Sequence, residues 1–170
     1  MAGIINPIRV LLISFTCTLF SSCTLIPINF DLPNAPRAVT SIEGELKDVD
    51  VRFQSAAYSS GITSQTDITY NWKRSLEKAI YESRWLRDES KNKLDLVVNI
   101  TKFEASALYF DIDVSAEYVL RNRTDNTILL RKTVTSSGHA NDFVGLHRAA
   151  NVVNDAVRNN IKEFVYQIAK

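Results

Sequence analysis

Leu94-Asp95-Leu96-Val97-Val98-Asn99-Ile100-Thr101-Lys102-Phe103 is the stretch from which the fold can be read. Residues with β-branched or aromatic side chains suit a pleated, half-buried surface. Leu96, Val97, Val98 and Ile100 are almost continuous, the pattern of a strand in the middle of a sheet. Downstream, residues 111–121 alternate more cleanly. Ile112, Val114, Ala116, Tyr118 and Leu120 point one way; Asp113, Ser115 and Glu117 point the other. Thr124-Asp125-Asn126 is a turn, and Ile128, Leu130, Lys132 and Val134 carry a partner strand back, which predicts an antiparallel hairpin. Upstream, Val49, Val51 and Phe53 alternate with Asp48, Asp50 and Arg52, so residues 46–53 predict a half-buried strand.

Two helices complete the pattern. After a loop over 56–65, Ser64, Thr66 or Asp67 can cap a helix in which Ile68, Trp72, Leu76, Ala79 and Ile80 recur at steps of three and four. It should fade near Ser83, with Trp85 and Leu86 sealing its end and residues 87–92 forming a turn. A second loop spans 138–145. Beyond it Leu146, Ala149, Ala150, Val153, Ala156, Val157, Ile161, Phe164 and Ile168 mark a long amphipathic helix. The order β-α-β-β-β-α predicts an α+β fold: a mainly antiparallel four-stranded sheet with two helices on one face. The other face is left to solvent or to a partner.

Ahead of this domain, Arg9, an apolar run over 10–20 and Ser21-Ser22-Cys23 follow in order. A basic end, a short apolar run and small residues before a cut describe a secretion signal. The run is shorter than the roughly 20 apolar residues that span a bilayer. Small residues before Cys23 resemble the lipobox of bacterial lipoproteins, although Phe20 stands where an aliphatic residue is usual. That resemblance implies cleavage after residue 22 and fatty-acyl (palmitate) lipidation of Cys23; the alternatives are an unlipidated cleaved signal and an uncleaved anchor. Thr24, rather than Asp, after the cysteine favours the outer membrane. The organisation expected is a signal peptide over 1–22, a lipidated cysteine and extended tether over 23–45, and a single periplasmic domain over 46–170. Pro27, Pro33 and Pro36 fall in the tether and no proline follows them. An extended tether of that length would hold the domain several nanometres off the bilayer. Its apolar Leu25, Ile26, Ile28, Phe30 and Leu32 leave three destinations open: the lipid interface, the domain itself or a partner.

The 148 residues from Cys23 onward fit one domain, and they balance 19 basic against 19 acidic residues because Arg9 is the only charge before the cut. A neutral chain lacks the phosphate-neutralising surplus that nucleic-acid binding uses, so no nucleic acid is expected. Cys17 leaves with the signal, which removes any intramolecular disulfide.

Chemistry-bearing residues are few. His139 and His147 flank Asp142 in the second loop, but a metal site needs three or four ligands, so neither a metal nor a cofactor is expected. Asp111 and Asp113 share one strand face, a spacing that could serve acid or base work but also suits a solvated surface. Ser59-Ser60 and Ser136-Ser137 lack the G-x-S-x-G setting of a nucleophile and read as turn residues. Arg148 and Arg158 lie near the edges of the apolar face of the last helix, where their stems can cover core while their heads stay wet or meet an acidic partner.

The D-L-x-V-x-I strand over 94–100, the hairpin over 114–130 and Arg148-Ala149 through Ala156-Val157-Arg158-x-Asn160-Ile161 together resemble small, poorly characterised Gram-negative envelope lipoproteins. The architecture is similar to that of lipoproteins that assist lipopolysaccharide insertion or accompany lipid-trafficking ABC transporters. This resemblance implies a plug or adaptor, not an enzyme, attached to the membrane by its lipid and working through an envelope protein or lipid partner. The rival reading is an envelope enzyme or small-ligand binder with a site in the 138–147 loop or near Tyr109 and Phe110.

Overall fold

The computed structural model describes residues 27–54, 63–105, 111–139 and 145–170, with side chains in the last stretch described from Arg148 onward. The elements run β1 (Glu45–Phe53), α1 (Gln65–Ser83), β2 (Lys93–Ala105), β3 (Asp111–Asn122), β4 (Ile128–His139) and α2 (Gly145–Ala169). They form a four-stranded sheet in the order β1-β2-β3-β4. β2–β3 and β3–β4 are antiparallel, whereas β1 lies parallel to β2. A parallel pair needs a crossover, and α1 supplies it. The sheet is therefore mixed within the expected α+β class.

Local chemistry explains the boundaries. Ser64 caps α1, its hydroxyl accepting from the Asp67 N–H at 3.0 Å, which satisfies one of the orphan donors of a helix start. Arg84 ends α1 in the left-handed conformation at φ 54°. The hairpin turn is held by Asn122 and Asp125 side chains that accept from the Thr124 and Thr127 N–H groups. A bulge between Ile100 and Lys102 changes the parity of β2, so Leu94, Leu96, Val98, Ile100 and then Phe103 all face the core.

The core lies between the sheet and both helices. At its centre Phe164 of α2 stacks on Tyr118 of β3, ring centroids 3.9 Å apart, and meets Trp85 edge-on at 6.2 Å. Trp85 thus seals the end of α1 as its sequence position predicts. α2 crosses β4 at Gly138, where a Cβ would fall 2.2 Å from the Val152 carbonyl and 2.5 Å from the Ala156 nitrogen. Only glycine allows that approach. Ser136, Ser137, Gly138 and His139 belong to β4 and not to a turn or loop, correcting the sequence expectation. The strand continues because its polar side chains find partners: Ser136 Oγ donates to the Ala156 carbonyl and Ser137 Oγ to Asp113.

Among the described residues no element covers the second face of the sheet, which is polar around a buried pair, Val97 and Val119. Val97 and Val119 pair at its centre, in register with Asp50 on one side and Arg131 on the other. Around them Arg52 donates to Asn99 at 2.8 Å, Asn99 to Glu117 at 3.3 Å, and Arg131 to Glu117 at 2.8 Å. This explains why β2 reads as continuously apolar only over Leu96-Val97-Val98.

Candidate functional site

The stretch read as a tether is built into the domain from residue 27 onward, and its apolar residues take the domain among the three destinations left open. Phe30 and Leu32 are buried in the core, while Asn29 and Asp31 alternate outward to polar partners. Asn154 of α2 holds the chain with both ends of its amide: Oδ1 accepts from the Asn29 N–H at 2.9 Å, and Nδ2 donates to the Pro27 carbonyl at 3.4 Å. Arg158 Nη2 donates to the Asn29 carbonyl at 3.1 Å. Asp31 accepts from Ser75 Oγ at 2.8 Å and Lys78 Nζ at 3.0 Å. Burial pushes the Asp31 carboxyl up, but the donors Ser75 and Lys78, with Arg74 nearby, outweigh it and hold the group below the usual carboxylate range.

Further on, the segment satisfies the two helix C-termini. Ala38 N–H donates to the Ser83 carbonyl at 2.8 Å and Val39 N–H to the Ala169 carbonyl at 2.9 Å. Carbonyls in the last turn of a helix have no intrahelical donor, so the segment straps both helix ends together. Ile42 N–H then donates to the Trp85 carbonyl at 2.8 Å. Backbone groups that a free linker would give to water are thereby paired.

Where this strap leaves α1 it borders a cleft of about 730 Å³. Arg37 and Ser41 come from the strap, Lys47 from β1, Tyr81 and Arg84 from the end of α1, and Arg87 from the following turn. Tyr81 is 73% exposed, with its ring free to form part of a contact surface. Asp48 and Glu77 add acidic groups. The hydrogen bond from Lys73 holds the Asp48 carboxyl below its ordinary range, whereas burial pushes Glu77 up. Ser41 Oγ accepts from Arg87 Nε at 3.2 Å.

The other sequence candidates fall as follows. Asp113 lies on the open face, held below the usual carboxylate range by the Ser137 hydroxyl and by Lys102. An acid so stabilised in its charged form is a poor proton donor. Asp111 pairs with His139 at the paired ends of β3 and β4. Arg148 is half-buried, and the Arg158 guanidinium is tied to Asp155 and to the Asn29 carbonyl. Cys23, Tyr109, Phe110, Asp142 and the His147 side chain lie outside the described residues. Among those described, no group of three or more His, Cys, Asp or Glu could hold a metal ion, and no helix is long and apolar enough to cross a membrane. Sequence reasoning assigned no role to Asn154 or Asn160. Both are buried polar residues on the apolar side of α2, and an asparagine interrupting an apolar stripe is the signal that could have found them.

Fold and strap together define a two-layer α+β domain whose helical layer carries a docked N-terminal segment. The same fold occurs in a Xanthomonas campestris protein of the family DUF330, which is 13% identical to this chain, with a TM-score of 0.56 over 82% of this chain and 89% of that one. A minor lipoprotein from Acinetobacter baumannii is similar at 11% identity and a TM-score of 0.45, over 72% of this chain and 92% of that one. No family model matches the sequence, and no curated protein matches it.

Proposed function

We propose that this protein is a lipoprotein anchored to the outer membrane through Cys23, with its domain facing the periplasm. Its role is non-catalytic, as an adaptor in envelope assembly or transport that works through a protein or lipid partner. The supporting observation is the strap. From Pro27, four residues after Cys23, the chain is part of the fold, and it ends beside the cleft of Arg37, Tyr81 and Arg84, so a lipid on Cys23 would tether the contact surface closely. Asp113, which Lys102 and the Ser137 hydroxyl hold in its charged form, is poorly placed to act as an acid, which favours an adaptor over an enzyme.

Two measurements test this reading. Mass spectrometry of the purified protein should find Cys23 as the acylated N-terminus, and membranes separated by density should carry it in the outer fraction. A photoreactive residue at Tyr81 should capture a discrete envelope component in cells, while one at Arg52 on the open face should not. An unmodified N-terminus elsewhere refutes the anchor. Equal capture at both positions, or none, refutes the cleft as the contact surface.

A further inference from the structure

We propose that the outer surface of the helical layer is held against the lipid bilayer and that the open face of the sheet is turned away from it. This rests on the reading of Cys23 as lipidated and adds an orientation to it. Only Thr24, Leu25 and Ile26 separate Cys23 from Pro27. Four Cα steps, fully extended, span at most about 13 to 14 Å.

That leash starts on the helical layer and not at β1. The Pro27 carbonyl is bonded to Asn154, and the Asn29 peptide is gripped by Asn154 and Arg158. Phe30 is fully buried immediately beyond, so lengthening the leash would mean pulling an aromatic side chain from the core. The open face of the sheet lies one helix diameter of about 10 to 12 Å, plus a sheet layer of about 10 Å, beyond the outer surface of α2. That distance of about 20 Å exceeds the reach of the leash. Acyl chains on Cys23 therefore bring the helical layer to the bilayer and leave the face carrying Val97, Glu117 and Val119 toward the aqueous side. The apposed surface carries Arg74 and Lys78 on α1 and Arg158 on α2, with side-chain exposures of 53%, 47% and 36%, each ion-paired within the protein to Asp31 or Asp155, so the short leash and not a surplus of charge sets the orientation. Leu25 and Ile26, within the leash, are apolar residues that can enter the lipid interface.

The test uses the full-length lipidated protein in vesicles of phosphatidylethanolamine and phosphatidylglycerol containing a headgroup-attached quencher. With the Cys23 sulfur carrying its lipid in a thioether, an introduced cysteine is the sole free thiol for a fluorophore. Labels at Asp155→Cys on α2 and Glu82→Cys on α1 should be quenched, and a label at Arg52→Cys on the open face should not. Inserting twelve Gly/Ser residues after Thr24 adds a root-mean-square reach of about 17 to 21 Å and should abolish the contrast. Equal quenching at all three sites, or a contrast that survives the insertion, overturns the orientation. Mass spectrometry of the same samples separates the two readings. An acylated Cys23 without contrast refutes the orientation alone, whereas an unacylated Cys23 refutes the anchor and the orientation with it.

Discussion

α2 and the strap over 27–42 both close the same core, by opposite means. α2 satisfies its own backbone and contributes a periodic apolar face, with Val153, Val157, Ile161 and Phe164 fully buried. The strap forms no regular element beyond a single bridge from Ile42 to Leu86. It holds on through Phe30 and Leu32 and lends its N–H groups to helix ends that lack donors. A self-satisfied helix needs the core only for its apolar face, whereas the strap needs the helices for its hydrogen bonds as well. The two should therefore respond differently to the same kind of damage.

The largest expected effect is at Phe164, which contacts Tyr118 and Trp85 at once. Phe164→Ala should cost about 3 to 5 kcal/mol, the usual range for deleting a buried aromatic that leaves a cavity. Denaturant midpoints of a soluble domain over residues 24–170 would measure it. Phe30→Ala should cost less, about 3 kcal/mol or below, because a strap can peel away locally where a central helix cannot. Amide hydrogen exchange should then rise at Ala38 and Val39 before it rises in β3. Equal costs with global exchange would make the strap as integral to the core as α2 and erase the contrast.

The same contrast governs what could be read from the sequence. The period of α2, the alternation of β3 and the Ser64 cap are local patterns, and each appears where it was expected. The strap was not legible as a docked element because its partners, Asn154, Arg158, Ser75 and the carbonyls of Ser83 and Ala169, are between 44 and 130 positions away in the chain. Prolines every few residues describe its conformation and not where it lies. The apolar Ile28, Phe30 and Leu32 were the available hint that it is no free spacer. The end of β4 was misread for a related reason, since Ser136-Ser137-Gly138 looks like a turn until α2 supplies the Ala156 carbonyl and fills the space above the glycine. The cleft draws on the strap, α1 and β1, so it could not be seen before the strap was placed.

Asn160 tests whether α2 depends on polar contacts as the strap does. It is fully buried, accepts from the Tyr118 hydroxyl at 2.8 Å and donates to the Val134 carbonyl at 3.0 Å. Burial pushes the Tyr118 phenol far up, so the group stays a neutral donor at any ordinary pH. Asn160→Ala would strand that hydroxyl, at about 1 to 3 kcal/mol, read from the same denaturant midpoints. Converting Tyr118 to Phe in the same chain should recover part of the loss, because the stranded donor is then gone. No recovery would mean that Asn160 acts by filling space and that α2 is held by apolar contact alone.

The smallest effect is electrostatic and confined to the strap. The Asp31 carboxyl sits below its ordinary range because Ser75 and Lys78 donate to it, in excess of the opposing effect of burial. A depressed folded value means that the unfolded chain binds the proton first as pH falls. The contribution of Asp31 is therefore complete above the unfolded carboxyl value of about 3.9 and is lost as pH drops through the lower folded value. Lys78 is largely in solvent, with a side chain 47% exposed, so screening keeps the contribution below those of the three preceding changes. Asp31→Asn should lower the midpoint slightly near neutral pH, with the difference shrinking as pH falls through the depressed folded value, flattening the acid limb. Parallel limbs in the two proteins would show that Asp31 contributes nothing that depends on charge. The strap would then rest on Phe30, Leu32 and its backbone bonds, and so would differ from α2 only in lacking a backbone ladder of its own.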